Sequence, residues 1–310
     1  MKQLVILSGK GGTGKTSVAA AFAQMAAEGE PTLRAVLADA DVDAANLELV
    51  LSPQVLSSEE FIGGALAVID QDHCIDCGRC YEVCRFDAIV PPDGEARQGL
   101  EKALHHAVDP VACDGCAACV YQCPEEAIRM APQMAGHWFR SASRYGPLFH
   151  AALRPAQENS GKLVTLVKQQ ARLAALDGGY EAMIVDGPPG IGCPVISAVS
   201  GADLALIVAE PTAAGIHDME RALATTAHFR VPALVCINKS DIYPAGAERI
   251  EVYCRGRGIE VVGRIPFDPA VTDAMVSGHP VTAHRPDAPA SQALAAVWQR
   301  IAADLRESTR

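Results

Sequence analysis

Two groups of residues in this 310-residue chain have the types and spacing that chemistry requires. The first is Gly9-Lys10-Gly11-Gly12-Thr13-Gly14-Lys15-Thr16, followed by Ser17. It fits G-x-x-x-x-G-K-[ST] between a β-branched apolar run, Lys2–Ser8, and an alanine-rich helical stretch. Glycines there let the backbone close round a phosphate with its N–H groups pointing inward. The helix N-terminus adds partial positive charge. Lys15 is expected to reach the β- and γ-phosphates of a nucleotide, and the Thr16 hydroxyl to ligate Mg²⁺. A plain glycine-rich strand–helix turn is the competing explanation, and the complete pattern in its strand-to-helix setting argues against it.

The second group is eight of the eleven cysteines. Cys74, Cys77, Cys80 and Cys84 recur 39 residues later as Cys113, Cys116, Cys119 and Cys123. Their flanks repeat too, CYEVCRFDAI against CVYQCPEEAI, which implies a duplicated half-domain with Pro91–Gly99 linking the halves. A chain with no secretory leader at its start is not expected to carry a disulfide framework, so thiols this closely spaced point to metal. Zinc uses four ligands in two pairs and does not account for four cysteines in each run. Clusters that only hold a small domain together and clusters that pass electrons both satisfy the spacing.

These groups need elements to position them. Apolar runs at Leu33–Ala38, Ala182–Val185, Leu204–Ala209, Ala233–Ile237 and Ile259–Arg264 read as buried strands. Helical stretches lie between them, at Lys15–Ala27, Gly161–Leu176, after Cys193, at Ala213–Phe229 and from about Ala245, with a last one near Ala288. Buried strands alternating with helices predict an α/β, doubly wound, mostly parallel sheet. From Asp70 to about Ala131 the alternation stops and cysteine, proline and acidic residues take over, as an inserted small α+β domain would require.

Composition limits the rest. With 49% apolar and 20% charged residues the chain can bury a substantial core. A formal charge of −11 argues against a broad nucleic-acid surface, which needs clustered Lys and Arg, and leaves room for a local basic patch. No apolar run approaches the roughly 18 residues of a membrane span. Neither nucleic acid nor stable membrane insertion is expected, and the expected location is an oxygen-poor cytoplasm, because exposed metal clusters on thiolates oxidise easily.

The run KGGTGKT resembles the deviant phosphate loop of the MinD/ParA/Mrp and nitrogenase iron-protein superfamily. The resemblance covers residues 1–62 and 134–310, leaving 63–133 as the insertion. It implies a dimer, of two copies or with a paralogue, in which Lys10 reaches the partner's nucleotide. Asp39-Ala40-Asp41-Val42-Asp43 stands where the family carries acidic residues for water and Mg²⁺. The resemblance gives Asp41 the attacking water, with Asp43 as the competitor, and puts Asp39 nearer the metal. Val185-Asp186-Gly187-Pro188-Pro189-Gly190 looks like the family's second acidic strand end and switch, with Asp186 at the Mg²⁺. Asn238-Lys239 and Pro266-Phe267-Asp268 match its base-flanking segments, and ATP rather than GTP is implied only by the family.

The cysteine runs resemble bacterial two-cluster ferredoxins, in which the fourth cysteine of each run ligates the other cluster. That resemblance implies two [4Fe–4S] clusters, one on Cys74, Cys77, Cys80 and Cys123, the other on Cys113, Cys116, Cys119 and Cys84. Arg85 stands where that family usually has proline.

Of the other cysteines, Cys236 and Cys254 read as core residues. Cys193 follows Asp186 by seven residues, near where nitrogenase iron protein places a bridging cysteine, and both packing and a redox role fit it. Gly136–Arg154 is basic and aromatic, either a docking surface or a packed hairpin. Val297, Trp298, Ile301 and Leu305 recur at helical spacing, as a core face does.

Three functions follow. The first is an ATPase whose nucleotide cycle governs electron transfer to a redox or iron–sulfur acceptor protein. The second is an iron–sulfur carrier like the Mrp branch, although no later C-x-x-C pair exists. The third is a positioning ATPase like MinD or ParA.

Overall fold

The structure, a computed structural model, describes residues 1–92, 105–154 and 161–307. In chain order the elements are β1 (Lys2–Ser8), α1 (Lys15–Glu28), β2 (Ala35–Asp39), α2 (Leu47–Leu51), β3 (Gln54–Ile69), α3 (Arg79–Val83), β4 (Ile89–Val90), β5 (Ala107–Val108), α4 (Ala118–Gln122), β6 (Ile128–Ser143) and β7 (Gly146–Leu153). There follow α5 (Lys162–Asp177), β8 (Ala182–Pro189), α6 (Cys193–Val199), β9 (Leu204–Ala209), α7 (Ala213–His228), β10 (Ala233–Asn238), α8 (Pro244–Arg255), β11 (Val261–Ile265), α9 (Pro269–Val276), α10 (Val281–His284) and α11 (Pro289–Glu307).

The chain forms two compact units, one of Met1–Glu59, His137–Leu153 and Asn159–Arg310, the other of Glu60–Gly136 and Arg154–Glu158. In the first, the sheet order β11-β10-β9-β1-β8-β2-β7 is parallel throughout its registered pairs. Residues of β1, β8 and β9 are almost all buried, because helices cover both faces of a parallel sheet and leave no solvated side. The face under α1 and α11 is filled by side chains such as Phe22 and Trp298, whose rings sit 5.1 Å apart, together with Val297, Ile301 and Leu305. Cys236 and Cys254 are fully buried within this unit.

Strand β1 lies between β8 and β9; the crossover from β1 runs past β8 to β2, and the later crossover from β8 runs back past β1 to β9, so the direction along the sheet reverses there. Such a reversal opens a crevice at the carboxyl ends of the strands. Gly9, Asp39, Glu210 and Asn238 stand at or just beyond those ends, and Asp186 lies inside β8, which continues past the expected strand end at Val185 to Pro189.

The second unit has a small core of Ala67, Ile69, Cys80, Ile89, Cys119 and Ile128, with Cys74, Cys84, Cys113 and Cys123 packed against it and Cys77 and Cys116 exposed. A two-stranded ribbon, Ile89↔Val108 and Val90↔Ala107, joins its halves. The sequence repeat is also a backbone repeat. Short helices α3 and α4 each start after a left-handed residue, Gly78 (φ 74) and Ala117 (φ 60). Four residues past the last cysteine of each run, the Ala88 and Ala127 amides donate to Cys84 Sγ and Cys123 Sγ, both at 3.3 Å.

The structure departs from the sequence expectation at the sheet edge. Strands β3 and β6 run for 16 residues each, and the order continues β7-β6-β3. The two-residue connection Arg144–Tyr145 makes β6 and β7 a hairpin. Trp138 and Tyr145 are buried there while Arg140 and Arg144 are exposed, which favours the packed hairpin over a docking surface. Most of Pro91–Gly99 lies outside the described residues.

Candidate functional site

Leaving β1, the chain turns through Gly9–Gly14 before α1 begins at Lys15. Gly14 has φ 96, and a side chain there would run into the Asn238 amide. Gly9 is packed against Asp218, with no space for a Cβ. No side chain caps α1, so its first amides are left for a ligand. The Thr13 hydroxyl is buried without a hydrogen-bond partner and Lys15 is 5% exposed. Thr16 and Ser17 follow in the first helical turn, with Ser17 Oγ 3.5 Å from Met275 Sδ.

Lys15 Nζ stands 4.0 Å from Asp41 Oδ2, whereas Asp43 is exposed. Burial raises the Asp41 pKa, opposed by Lys15 and reinforced by Asp43. Asp39 and Asp186 are register partners on β2 and β8, both fully buried. Asp39 accepts from the Asp41 amide (3.1 Å) and the Leu47 amide (3.0 Å). Burial and then Asp186 nevertheless hold its carboxyl well above the usual range. Asp186 is pushed up to about 7 by burial, although Thr16 and Lys15 favour its anion. Neither Asp186 oxygen has a hydrogen bond of ordinary geometry. Two buried carboxylates, one without partners and beside a threonine hydroxyl, are a donor set that fits a hard divalent cation.

On the other side of the loop, Glu210 follows β9 and accepts from two lysines. Lys10 Nζ lies 2.7 Å from its Oε2 and Lys239 Nζ 2.5 Å from its Oε1. Burial opposes ionisation of Glu210, but the two lysines outweigh it and keep its pKa below the ordinary value. Lys239 also donates to the Gly12 carbonyl (3.1 Å), and Asn238 Nδ2 to the Thr13 carbonyl (2.7 Å). The Asn238 amide therefore braces the phosphate loop. Pro266 and Phe267 lie between β11 and α9, where the Phe267 amide donates to Asp241 (2.6 Å) and the ring is 53% exposed. Glu210, Asp218 and Asp241 escaped the sequence reading. Single carboxylates after a strand have too many structural roles to stand out, although the position of Glu210 at the end of β9 was a signal.

The cysteines surround two recesses. One is lined by Cys74, Cys77, Cys80 and Cys123 with Ile69 and Ile75. The other is lined by Cys84, Cys113, Cys116 and Cys119 with Phe86 and Ile89. Each takes three cysteines from one run and the last from the other. Burial, then the neighbouring Cys74, pushes the Cys80 thiol up to about 11, and burial and Cys113 raise Cys119. Clustered thiolates in apolar surroundings repel one another unless cationic metal offsets their charge, and the donor set fits iron. Beside the first recess Asp76 lies between His105 Nδ1 (2.5 Å) and His106 Nδ1 (3.0 Å), and these hydrogen bonds lower its carboxyl to about 2. That trio, too, went unread in the sequence. Cys193 is exposed at the start of α6.

No helix among the described residues is long and apolar enough to cross a membrane. A protein of Methanocaldococcus jannaschii is 34% identical over 237 residues, covering 76% of this chain and 78% of that one. An iron–sulfur cluster carrier protein of Pyrococcus furiosus is 26% identical over 161 residues, covering 47% of this chain and 54% of the carrier. Among solved structures, MinD with Mg-ADP from Pyrococcus horikoshii OT3 matches with a TM-score of 0.57 at 17% identity, covering 97% of this chain and 95% of that one. Apo McdA from Cyanothece matches at 0.55 and 16%, covering 97% and 99%. These two show a shared fold. The model of the CobQ/CobB/MinD/ParA nucleotide binding domain matches residues 4–281, and the chain belongs to that family of P-loop NTPases.

Proposed function

We propose that this protein is a Mg²⁺-dependent ATPase whose nucleotide cycle governs electron transfer through two [4Fe–4S] clusters held in an inserted ferredoxin-like unit, residues 63–133 of the chain. One observation carries the reading: each recess gathers three cysteines of one run and the last of the other. Two-cluster ferredoxins divide their ligands in this way, and two separate zinc sites have no need to.

In this reading Gly9–Gly14 and the first turn of α1 bind the phosphates, with Lys15 on the β- and γ-phosphates. Thr16 and Asp186 would hold Mg²⁺, with Asp39 behind them, and the ion would supply charge neutralisation at the phosphates. Asp41 orients water for attack on the γ-phosphorus, the bond to the β–γ bridging oxygen breaks, and ADP leaves. Lys10 leaves Glu210 to complete the site of a second protomer, identical or paralogous. Asn238, Lys239, Pro266 and Phe267 flank the base. Cys74, Cys77, Cys80 and Cys123 would hold one cluster, and Cys113, Cys116, Cys119 and Cys84 the other. The clusters would supply one-electron chemistry directed to a redox or iron–sulfur acceptor protein.

Iron–sulfur cluster carriage is the second reading, favoured by the relatives that bear that name. Four thiols per recess suit retained clusters better than donated ones.

The test is an anaerobic EPR titration of cluster potentials without nucleotide, with ADP and with a non-hydrolysable ATP analogue. A shift of about 60 mV, a tenfold change for a one-electron couple, supports coupling. Unchanged potentials together with cluster transfer to an apo-protein acceptor would replace it with the carrier reading.

A further inference from the structure

His150 on β7 is 2% exposed and uses both ring nitrogens. Its Nδ1 lies 3.0 Å from Glu48 Oε2 and its Nε2 2.9 Å from Ser141 Oγ. The ring stacks on Phe139, centroids 5.0 Å apart. Burial lowers the pKa of His150 while the Glu48 charge opposes the shift, and a neutral ring accepting from the Ser141 hydroxyl through Nε2 fits these contacts. The atom order is that of a Ser–His–acid triad. Ser141, however, is 0% exposed, so no substrate reaches its hydroxyl. A nucleophile needs access, and this serine does not have it.

What the three residues join is more informative. Glu48 is the second residue of α2, and Leu47 before it donates its amide to Asp39 Oδ2 at 3.0 Å. Asp39 is in turn the register partner of Asp186. Ser141 lies near the end of β6, a strand that begins at Ile128, five residues after Cys123. Asp39, the Leu47 amide, Glu48, His150 and Ser141 therefore form an unbroken series from the phosphate crevice to β6.

We propose that His150 is a positioning residue that transmits the state of the nucleotide site, through Glu48 and α2, to strand β6. The inference deepens the proposed function and rests on it for its purpose. A ligand that changes the charge at Asp39 and Asp186 changes how strongly Asp39 holds the Leu47 amide. Helix α2 has five residues and little stability of its own, so it follows its anchors. Glu48 carries the change to His150 through its charge, 3.0 Å from Nδ1, and Ser141 receives it through its hydrogen bond to Nε2. Spatial adjacency alone does not establish coupling, so the test must measure response.

The experiment is hydrogen exchange on the full, cluster-loaded chain, reading residues 128–143 without nucleotide, with Mg-ADP and with Mg²⁺ and a non-hydrolysable ATP analogue. Exchange in wild-type β6 should slow at least threefold with Mg-nucleotide. His150→Phe keeps the stack on Phe139 but removes both nitrogens, and should bring the nucleotide effect to within 1.5-fold of none, with nucleotide affinity within about threefold of wild type. His150→Gln, which can still donate to Glu48 and accept from Ser141, should restore it. Should the phenylalanine variant not fold, Glu48→Gln, at a partly exposed carboxylate, is expected to at least halve the effect. An unresponsive wild-type β6, or a response undiminished in both His150→Phe and Glu48→Gln, overturns the relay. A relay intact beside nucleotide-independent cluster potentials and cluster transfer to an apo-protein acceptor would refute the electron-transfer reading alone. Coupled potentials with an unresponsive β6 would refute the relay alone.

Discussion

Lys10 Nζ lies 2.7 Å from Oε2 of Glu210 in its own chain, and Lys239 occupies the other oxygen of the same carboxylate. The lysine expected to serve a partner's nucleotide is thus engaged in cis. Charge-assisted hydrogen bonds contribute about 1.5–3 kcal/mol, enough to weigh against dimerisation. Glu210→Gln removes the charge and should lower the protein concentration at which a nucleotide-dependent dimer forms by about tenfold, or ~1.4 kcal/mol. Sedimentation velocity with a non-hydrolysable ATP analogue measures this. A dimer weakened by the change would mean that Glu210 aids assembly instead.

Asp41, not Asp43, is the acid beside Lys15. Asp41→Asn should slow phosphate release by about 10²–10⁴-fold, the usual range for losing a positioned acid–base group. Nucleotide affinity should change less than threefold, and Asp43→Asn should leave hydrolysis within about twofold. Steady-state phosphate release and equilibrium nucleotide binding separate the two.

The Asp186 carboxyl, pushed up to about 7 from an ordinary 3.8, predicts a pH dependence. A raised pKa means that the folded chain binds the proton more tightly than the unfolded chain. Its contribution is complete below about pH 4 and is lost as pH rises towards 7. Nucleotide-free protein should therefore lose stability through that window relative to Asp186→Asn, and Mg-ADP should restore it. Melting temperatures of the two proteins from pH 5.5 to 8, with and without Mg-ADP, check the sign; a wild type that gains stability over the variant as pH rises would contradict it.

The crossed cysteine sets predict which iron is lost together. Cys74→Ser with Cys123→Ser alters one recess, whereas Cys74→Ser with Cys84→Ser alters both. The first pair should leave about half the iron and one unperturbed EPR signal, and the second should perturb both signals. Iron content and EPR of anaerobically prepared variants decide it. The reverse pattern would mean that each run serves its own site.

Much of this was legible because the motifs are local. The phosphate loop needs contiguous glycines and a lysine at one strand–helix junction, and the cysteine repeat displays its own duplication. Buried parallel strands announce themselves as apolar runs, so β1, β8, β9 and β10 were readable. Strands β3 and β6 were not. Neither keeps the apolar-run pattern along its length, and much of β3 is exposed, so hydrophobic pattern carries little signal there.

By itself the sequence determined the chemistry available: a phosphate-binding turn, acids after two strands, and eight thiols in two matching runs. The tertiary structure decided which of these meet. The pairing of Asp39 with Asp186 exists only because β2 and β8 are neighbours in the sheet, 147 residues apart in the chain. Likewise Glu210 gains its two lysines, and His150 its Glu48 and Ser141, from elements that fold together. Residue type and spacing follow from local backbone geometry, whereas burial, pKa and partner depend on packing between distant segments.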